Sequence, residues 1–309
     1  MNNLKIHFLN TIWSDAIILE KNSHYAFIDC GSAFYEPMIK KYLDDLKITH
    51  IDFIILTHFH NDHYGNTKFI IDNYQVNKLY TKRYYGLDGT TSSGYESNDE
   101  YIENEFKNYN NIISACQNKT EIIYIDELNQ NTLDINFENT ILELYDIQNT
   151  LYLMYSDPNS LYYHQKLFNE NFNSIGIFIR EKDKNIFLGA DVTCSKTDIL
   201  KLKALSIKMI EKIYQKHHIN HIDIYKSCHH GGGGTNTLEL CELLKARIAV
   251  ITNTARWLDN YATFSNLKEA YKDVKILVTD HQKYILEISN QIDIQEIKEE
   301  SLFLTLGKN

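Results

Sequence analysis

Residues 51–65, IDFIILTHFHNDHYG, constrain this chain more than any other stretch. The apolar run Phe53-Ile54-Ile55-Leu56 has the length and β-branched content of a buried strand. It breaks directly into Thr57-His58-Phe59-His60-Asn61-Asp62-His63, which holds four metal-ligand side chains within six residues. Behind a strand, His58 and His60 can both project from its carboxyl end. Asp62 and His63 then fall at the start of the following helix, where a second metal can sit. Neutral imidazole nitrogens coordinate a dication, and a neighbouring carboxylate offsets part of its charge. A surface loop that is merely histidine-rich does not place HxHxDH straight behind a buried strand.

The segment Thr57 to Gly65 resembles the signature of the metallo-β-lactamase-fold hydrolases. That resemblance implies a four-layer αββα sandwich, a mixed α/β fold, with two divalent metal ions, Zn2+ or alternatively Mn2+. It is nearly silent about the substrate, because one fold hosts many chemistries.

The 309 residues suffice for a sizeable core, and 43% hydrophobic with 23% charged residues is ordinary for a globular chain. A net charge of −10 disfavours a protein whose whole surface grips nucleic acid, since that grip needs clustered Lys and Arg. It leaves room for a local site where metal ions supply the positive charge. No apolar run approaches the ~20 residues that span a bilayer, and the opening MNNLKIHFLN lacks a secretory apolar core. Five scattered cysteines without a CxxC pair point to a reducing, cytoplasmic compartment.

With no internal repeat and no Pro- or Ser-rich linker, residues 1–309 read as one domain. The opening 30 residues read as strands ending at Asp29-Cys30-Gly31, and residues 36–47 as a helix leading into the metal strand. From 83 to 119 the composition turns to GLDGTTSSGYESNDE and then to a polar helix-compatible stretch. This is an insertion at the site mouth, either a lid or an inert surface loop. Residues 174–179 and 184–188 form an expected hairpin that delivers Gly189-Ala190-Asp191 to a strand end. Residues 222–225 form a strand followed by Ser227-Cys228-His229-His230-Gly231, then a run of glycines. Residues 275–279 and 284–288 read as a second hairpin around Asp280-His281. The tail from 292 has no assignment.

His229-His230-Gly231, with Asn173-Ser174 and Thr279-Asp280, resembles the hydrolase domain of ComEC-type DNA-uptake proteins and their free-standing relatives. That subgroup includes a choline-phosphodiester hydrolase branch. The resemblance spans about residues 4–290, strong at three motifs, while the channel parts of the uptake proteins have no counterpart here. It implies that Asp29 braces the metal loop, that Asp191 bridges both metals, and that His58 and His60 bind the first. Asn171, Asn173 or His164 would complete that first site, with Ser174 beside them. Asp62, His63 and His281 would bind the second metal. His229 and His230 would supply a ligand, an acid or a charge stabiliser, and strand alternation predicts that only one of them faces the metals. Asp62, His229 and His230 are thus the candidate catalytic residues.

The expected reaction is hydrolysis by a hydroxide held between two metals, most simply of a nucleic-acid or small-molecule phosphodiester, with no membrane partner. Carboxylic ester, lactone or thioester hydrolysis is the alternative on the same centre. A silent binding protein on the same fold is the third reading, which the intact His58/His60/Asp62/His63/Asp191 set disfavours. The oligomeric state is not legible in the sequence.

Overall fold

The computed structural model describes residues 2–87, 97–160, 163, 170–192, 205–232, 234–255 and 262–299. Two sheets face each other. The first has the order β15-β14-β1-β2-β3-β4-β5-β6 and the second β13-β12-β11-β10-β9-β8-β7. In the first sheet lie β1 (Leu4–Phe8), β2 (Ala16–Lys21), β3 (His24–Cys30), β4 (His50–Ile55), β5 (Gln75–Thr81), β6 (Glu121–Tyr124), β14 (Gln282–Ile288) and β15 (Ile292–Lys298). The second holds β7 (Thr132–Phe137), β8 (Thr140–Tyr145), β9 (Gly176–Glu181), β10 (Lys184–Leu188), β11 (Ile224–Lys226), β12 (Ile248–Ile251) and β13 (Lys275–Val278).

Period-two alternation sorts the side chains into layers. Ile17, Leu19, Ile28, Phe53 and Ile55 face Leu142, Leu144, Ile177, Ile186 and Ile224 between the sheets. The opposite faces are also apolar: Ile18, Phe27, Ile54 and Leu79 pack beneath one helical layer, and Phe178, Phe187, Tyr225 and Ala249 beneath the other. Strands buried on both faces read as continuous apolar runs, which is why β4 stands out in the sequence. The outer layers are α1 (Glu36–Asp45), α2 (Asn61–Tyr64), α3 (Thr67–Asn73) and α4 (Asn98–Cys116) on one side, and α6 (Leu205–His217), α7 (Leu238–Leu244) and α8 (Thr263–Ala270) on the other. The short α5 (Thr150–Ser156) packs beside residue Phe172. This is the expected four-layer αββα arrangement.

Each sheet has an antiparallel part and a parallel part: β3-β4-β5-β6 in the first and β10-β11-β12-β13 in the second are parallel. Ligand sites in such sheets form beyond the carboxyl ends of the parallel strands. His58, Asp191, His229 and Thr252 follow such ends, and Asp29 is the penultimate residue of β3.

Two expectations change. Residues 275–278 and 282–288 are not a hairpin: β13 pairs with β12 in the second sheet, and β14 pairs with β1 in the first. Tyr284, Leu286 and Ile288 fill the space between the sheets, and a turn with His281 at φ 58° carries the chain across. The unassigned tail begins with β15, seven residues antiparallel to β14. Of the insertion at 83–119, residues 88–96 lie outside the described residues. Its helix α4 sinks Tyr109, Ile112 and Cys116 into the helical layer, and the Tyr64 hydroxyl donates to Glu105 at 2.8 Å. Cys30, Cys116, Cys228 and Cys241 are buried free thiols. Among the described residues no helix is long and apolar enough to cross a membrane.

Candidate metal centre

The site is assembled from the ends of five strands. After β4 the chain turns so that His58, buried, and His60, half-buried, bring Nε2 and Nδ1 to 3.1 Å. The helical turn of α2 then carries Asp62 and the fully buried His63. After β10, Ala190 adopts φ 41° and delivers Asp191 inward, where it is 1% exposed. Asp191 occupies the middle. Its Oδ1 lies 3.3 Å from His63 Nε2 and 3.4 Å from His230 Nε2. Its Oδ2 lies 3.9 Å from His58 Nε2 and 3.8 Å from His229 Nε2. Asp62 Oδ2 closes the first of these groups, 3.2 Å from His230 Nε2 and 3.8 Å from His63 Nε2.

Both members of the double histidine therefore face the cluster, contrary to the alternation argument. The strand stops at Lys226, and His229 and His230 are both left-handed, at φ 48° and 52°. Two consecutive left-handed residues turn both rings to one side, which a pleated strand cannot do.

Behind the inward nitrogens stands a row of carboxylates. Asp29 Oδ2 is 2.7 Å from His63 Nδ1, and its two oxygens accept from the Thr57 amide (2.9 Å) and hydroxyl (2.7 Å). Asp15, at the start of β2, plays the matching part for His230: Oδ1 is 3.2 Å from Nδ1 and accepts from the Thr252 hydroxyl at 2.6 Å. Carboxylates that hold one ring nitrogen protonated leave the other as a lone-pair donor aimed at a metal. Asp15 also pairs with the fully buried Lys226 ammonium, which donates to the Ala190 carbonyl at 3.2 Å. The Asp15 amide and Ser14 hydroxyl both donate to the Asp62 carbonyl, at 3.1 and 2.8 Å.

The charges follow this layout. Burial works against the protonated forms of His63 and His230, yet the facing carboxylates prevail. Asp191 and Asp29 raise His63 well above the usual histidine range, and Asp191 and Asp15 raise His230 to about 9. Burial and the neighbouring His63 hold His58 well below that range. Despite its burial, Asp191 is held far below the ordinary carboxylate range by His230, His63 and His229.

The donor set fits divalent ions. Asp15, His63, Asp191 and His230 form one group of converging ligand atoms, and His58, His60 and Asp191 another, with Asp191 common to both. His63 Nε2 and Asp191 Oδ1 are buried and face each other without hydrogen-bond alignment, as atoms that share a cation do.

The remaining expected residues lie elsewhere. The His281 ring is 52% exposed and pairs with Asp280 at 3.2 Å, so it lies outside both groups. Asn173 commits its amide to the loop, accepting from the Leu151 amide (2.6 Å) and donating to Glu170 (2.9 Å). Asn171 and Ser174 are buried alongside, where the Ile175 amide donates to the Thr57 carbonyl at 3.1 Å. His164 lies outside the described residues. His229 stands on the His58 side of Asp191, where the sequence reading expects a further ligand from among 164–173. Nothing in the sequence singles out Asp15 or Lys226. Each is a charged residue flanking an apolar run, and only its partner in another sheet or loop distinguishes it.

Residues 14–115 match the family model described as the metallo-beta-lactamase superfamily. No curated protein matches the chain. Among solved structures, the metallo-beta-lactamase fold protein YhfI from Bacillus subtilis aligns with a TM-score of 0.52, over 96% of this chain and 100% of its own, at 10% identity. A mutant of CmlA beta-hydroxylase aligns with a TM-score of 0.51, over 93% of this chain and 54% of its own, also at 10% identity. At such identities the likeness establishes the fold alone.

Proposed function

We propose that this chain, which has the metallo-β-lactamase fold and matches that superfamily's model over residues 14–115, is a dinuclear metal-dependent hydrolase of phosphodiesters. The observation that carries this reading is the position of Asp191, whose two oxygens face two separate groups of imidazoles. His58 and His60 would hold one ion, with His229 beside them towards solvent, and Asp62, His63 and His230 the other, with Asp191 shared. A pair of divalent ions so held supplies Lewis acidity and an activated water, and it suits in-line displacement at phosphorus. Zinc is the ion that this imidazole-rich set favours, with manganese second.

The chain's own residues contribute orientation and charge. Asp29 and Asp15 hold His63 and His230 with their Nε2 atoms inward. Burial of His58, His63 and Asp191 keeps bulk water from competing for them. His229, with a side chain 31% exposed, stands at the solvent side, where it can donate a proton to a departing alkoxide.

The test is purified protein of measured metal content assayed against bis-p-nitrophenyl phosphate, nucleotides, DNA, lactones and thioesters. Turnover of the phosphodiesters that is lost with chelator and restored by zinc or manganese is expected. Turnover confined to lactones or thioesters would overturn the choice of phosphorus, and two bound metals with no turnover of any substrate would overturn the enzyme reading.

A further inference from the structure

Three residues in a row are left-handed where β11 gives way to the double histidine: His229 at φ 48°, His230 at 52° and Gly231 at 81°. Glycine takes such backbone freely, but residues with a Cβ take it singly and seldom in succession. A stretch like this persists where its surroundings over-determine it. Here they do so through the backbone groups of the turn. The Gly232 amide closes it on the His229 carbonyl at 2.7 Å, and the His229 amide donates to the Ala190 carbonyl at 2.8 Å. The His230 carbonyl accepts from Asn253 Nδ2 at 3.0 Å, the Gly231 carbonyl from the Thr263 hydroxyl, and the Gly232 carbonyl from the Thr235 hydroxyl at 2.7 Å. Cys228, the residue that enters the turn, is held by both its backbone groups. Its amide donates to the Tyr225 hydroxyl at 2.9 Å, and that hydroxyl donates to Asn236 Oδ1 at 2.6 Å. Asn236 Nδ2 then donates back to the Cys228 carbonyl at 2.9 Å, and its second hydrogen reaches the Thr235 hydroxyl at 3.0 Å. Tyr225, Thr235, Asn236 and Asn253 are all buried, where such bonds are strengthened by the low dielectric.

We infer that Asn236 is a positioning residue of the candidate centre: the circuit it closes with Tyr225 through Cys228 holds the turn left-handed and so keeps both imidazoles on Asp191. The inference rests on the metal-centre reading and deepens it, since it assigns the aim of His229 and His230 to a named side chain. The role suits a carboxamide, which carries an acceptor and a donor on one planar end. Aspartate would accept from Tyr225 but turn an anion towards the Cys228 carbonyl. Alanine would leave a buried hydroxyl and a buried carbonyl without this partner. With the circuit broken, the turn relaxes towards ordinary backbone. Neighbouring side chains then diverge, and one of the two rings leaves the cluster.

The experiment compares His229→Gly with His229→Ala by urea denaturation of the full chain at equal measured metal content, with Asn236 intact and in Asn236→Ala. With Asn236 intact the glycine variant is expected to be the more stable, by about fivefold in the unfolding constant, because glycine meets no Cβ clash in left-handed backbone. In Asn236→Ala that difference is expected to vanish or reverse, since alanine is the better residue once φ is negative. A merely structural loss at Asn236 would lower stability and leave the difference as it was. Chelator competition gives a second readout. Asn236→Ala should bind metal about 10–100-fold more weakly, while Asn266→Ala, which removes a 2.9 Å bond to the Asn236 backbone carbonyl, should bind it as before. Tyr225→Phe takes away the hydroxyl, keeps the ring and should behave as Asn236→Ala does, so it carries the test if that variant fails to fold. Glycine no better than alanine with Asn236 intact, a difference that persists in Asn236→Ala and Tyr225→Phe, or metal affinity unchanged in both would each overturn the positioning role and leave the metal centre standing. Wild-type protein that takes up no metal would instead remove the centre, and this role with it, whatever the glycine–alanine comparison showed.

Discussion

Asp15 and His230 are 215 positions apart, yet the aspartate Oδ1 lies 3.2 Å from the imidazole Nδ1, both side chains being 1% exposed. The same carboxylate neutralises the buried ammonium of Lys226, so one residue ties the first hairpin to the β11 end and the Asp191 loop. Asp15→Ala should therefore weaken binding of one of two metals by about 10–100-fold, the usual cost of losing a carboxylate behind a ligating imidazole. Chelator competition on the purified variant measures this. Unchanged affinity for both metals would show that Asp15 only stabilises the fold.

Asp191→Ala should reduce the bound metal from two ions per chain to one or fewer. Removing the one carboxylate among the described residues that faces both imidazole groups would leave two dications without their common anion. Elemental analysis after gel filtration, together with a melting curve showing a folded protein, checks it.

His229→Ala and His230→Ala should both impair the centre, because both Nε2 atoms lie within 3.8 Å of Asp191. The His230 variant, losing a buried ring that Asp15 and Thr252 orient, should lose metal. The half-exposed His229 should show the larger rate loss at full metal occupancy, about 10²-fold or more if it serves as acid. Metal content and steady-state rates of the two variants on one substrate decide between these roles.

Gly65→Ala should disturb the metal loop. A Cβ at Gly65 would sit 2.4 Å from the Ala33 nitrogen and 2.6 Å from the Asn61 carbonyl oxygen, both of them backbone atoms that cannot swing away. Overpacking of this kind costs about 1–3 kcal/mol. Urea denaturation should show that loss, accompanied by reduced metal affinity, since Asn61 neighbours Asp62.

Lys82→Met should destabilise the fold by about 3 kcal/mol or more, from carbonyls stripped of a charged donor. Lys82 is buried, and its ammonium donates to the carbonyls of Asp146, Gln148 and Asn173 at 2.7, 2.7 and 2.6 Å. Burial lowers its proton affinity, opposed by Asp146 and Glu170. Chemical denaturation with the metal content held constant measures the effect.

The sequence by itself determined the fold and one face of the candidate site. β4 is buried on both sides and so reads as an unbroken apolar run, and the four ligand side chains behind it are contiguous, so local spacing alone reveals them. Asp191 and the double histidine are legible for the same reason, each following a recognisable strand. What only the tertiary structure decided is everything that depends on distance across the sandwich. That β13 and β14 part into different sheets follows from pairing with β12 and β1, which no local pattern encodes. That both His229 and His230 turn inward follows from two left-handed residues beyond the end of β11. Asp15 and Lys226 resemble ordinary charged residues beside a strand until the fold excludes water from them. Once water is excluded, a buried charge must find its partner wherever the chain has placed it, and here each found the other across 211 positions of sequence.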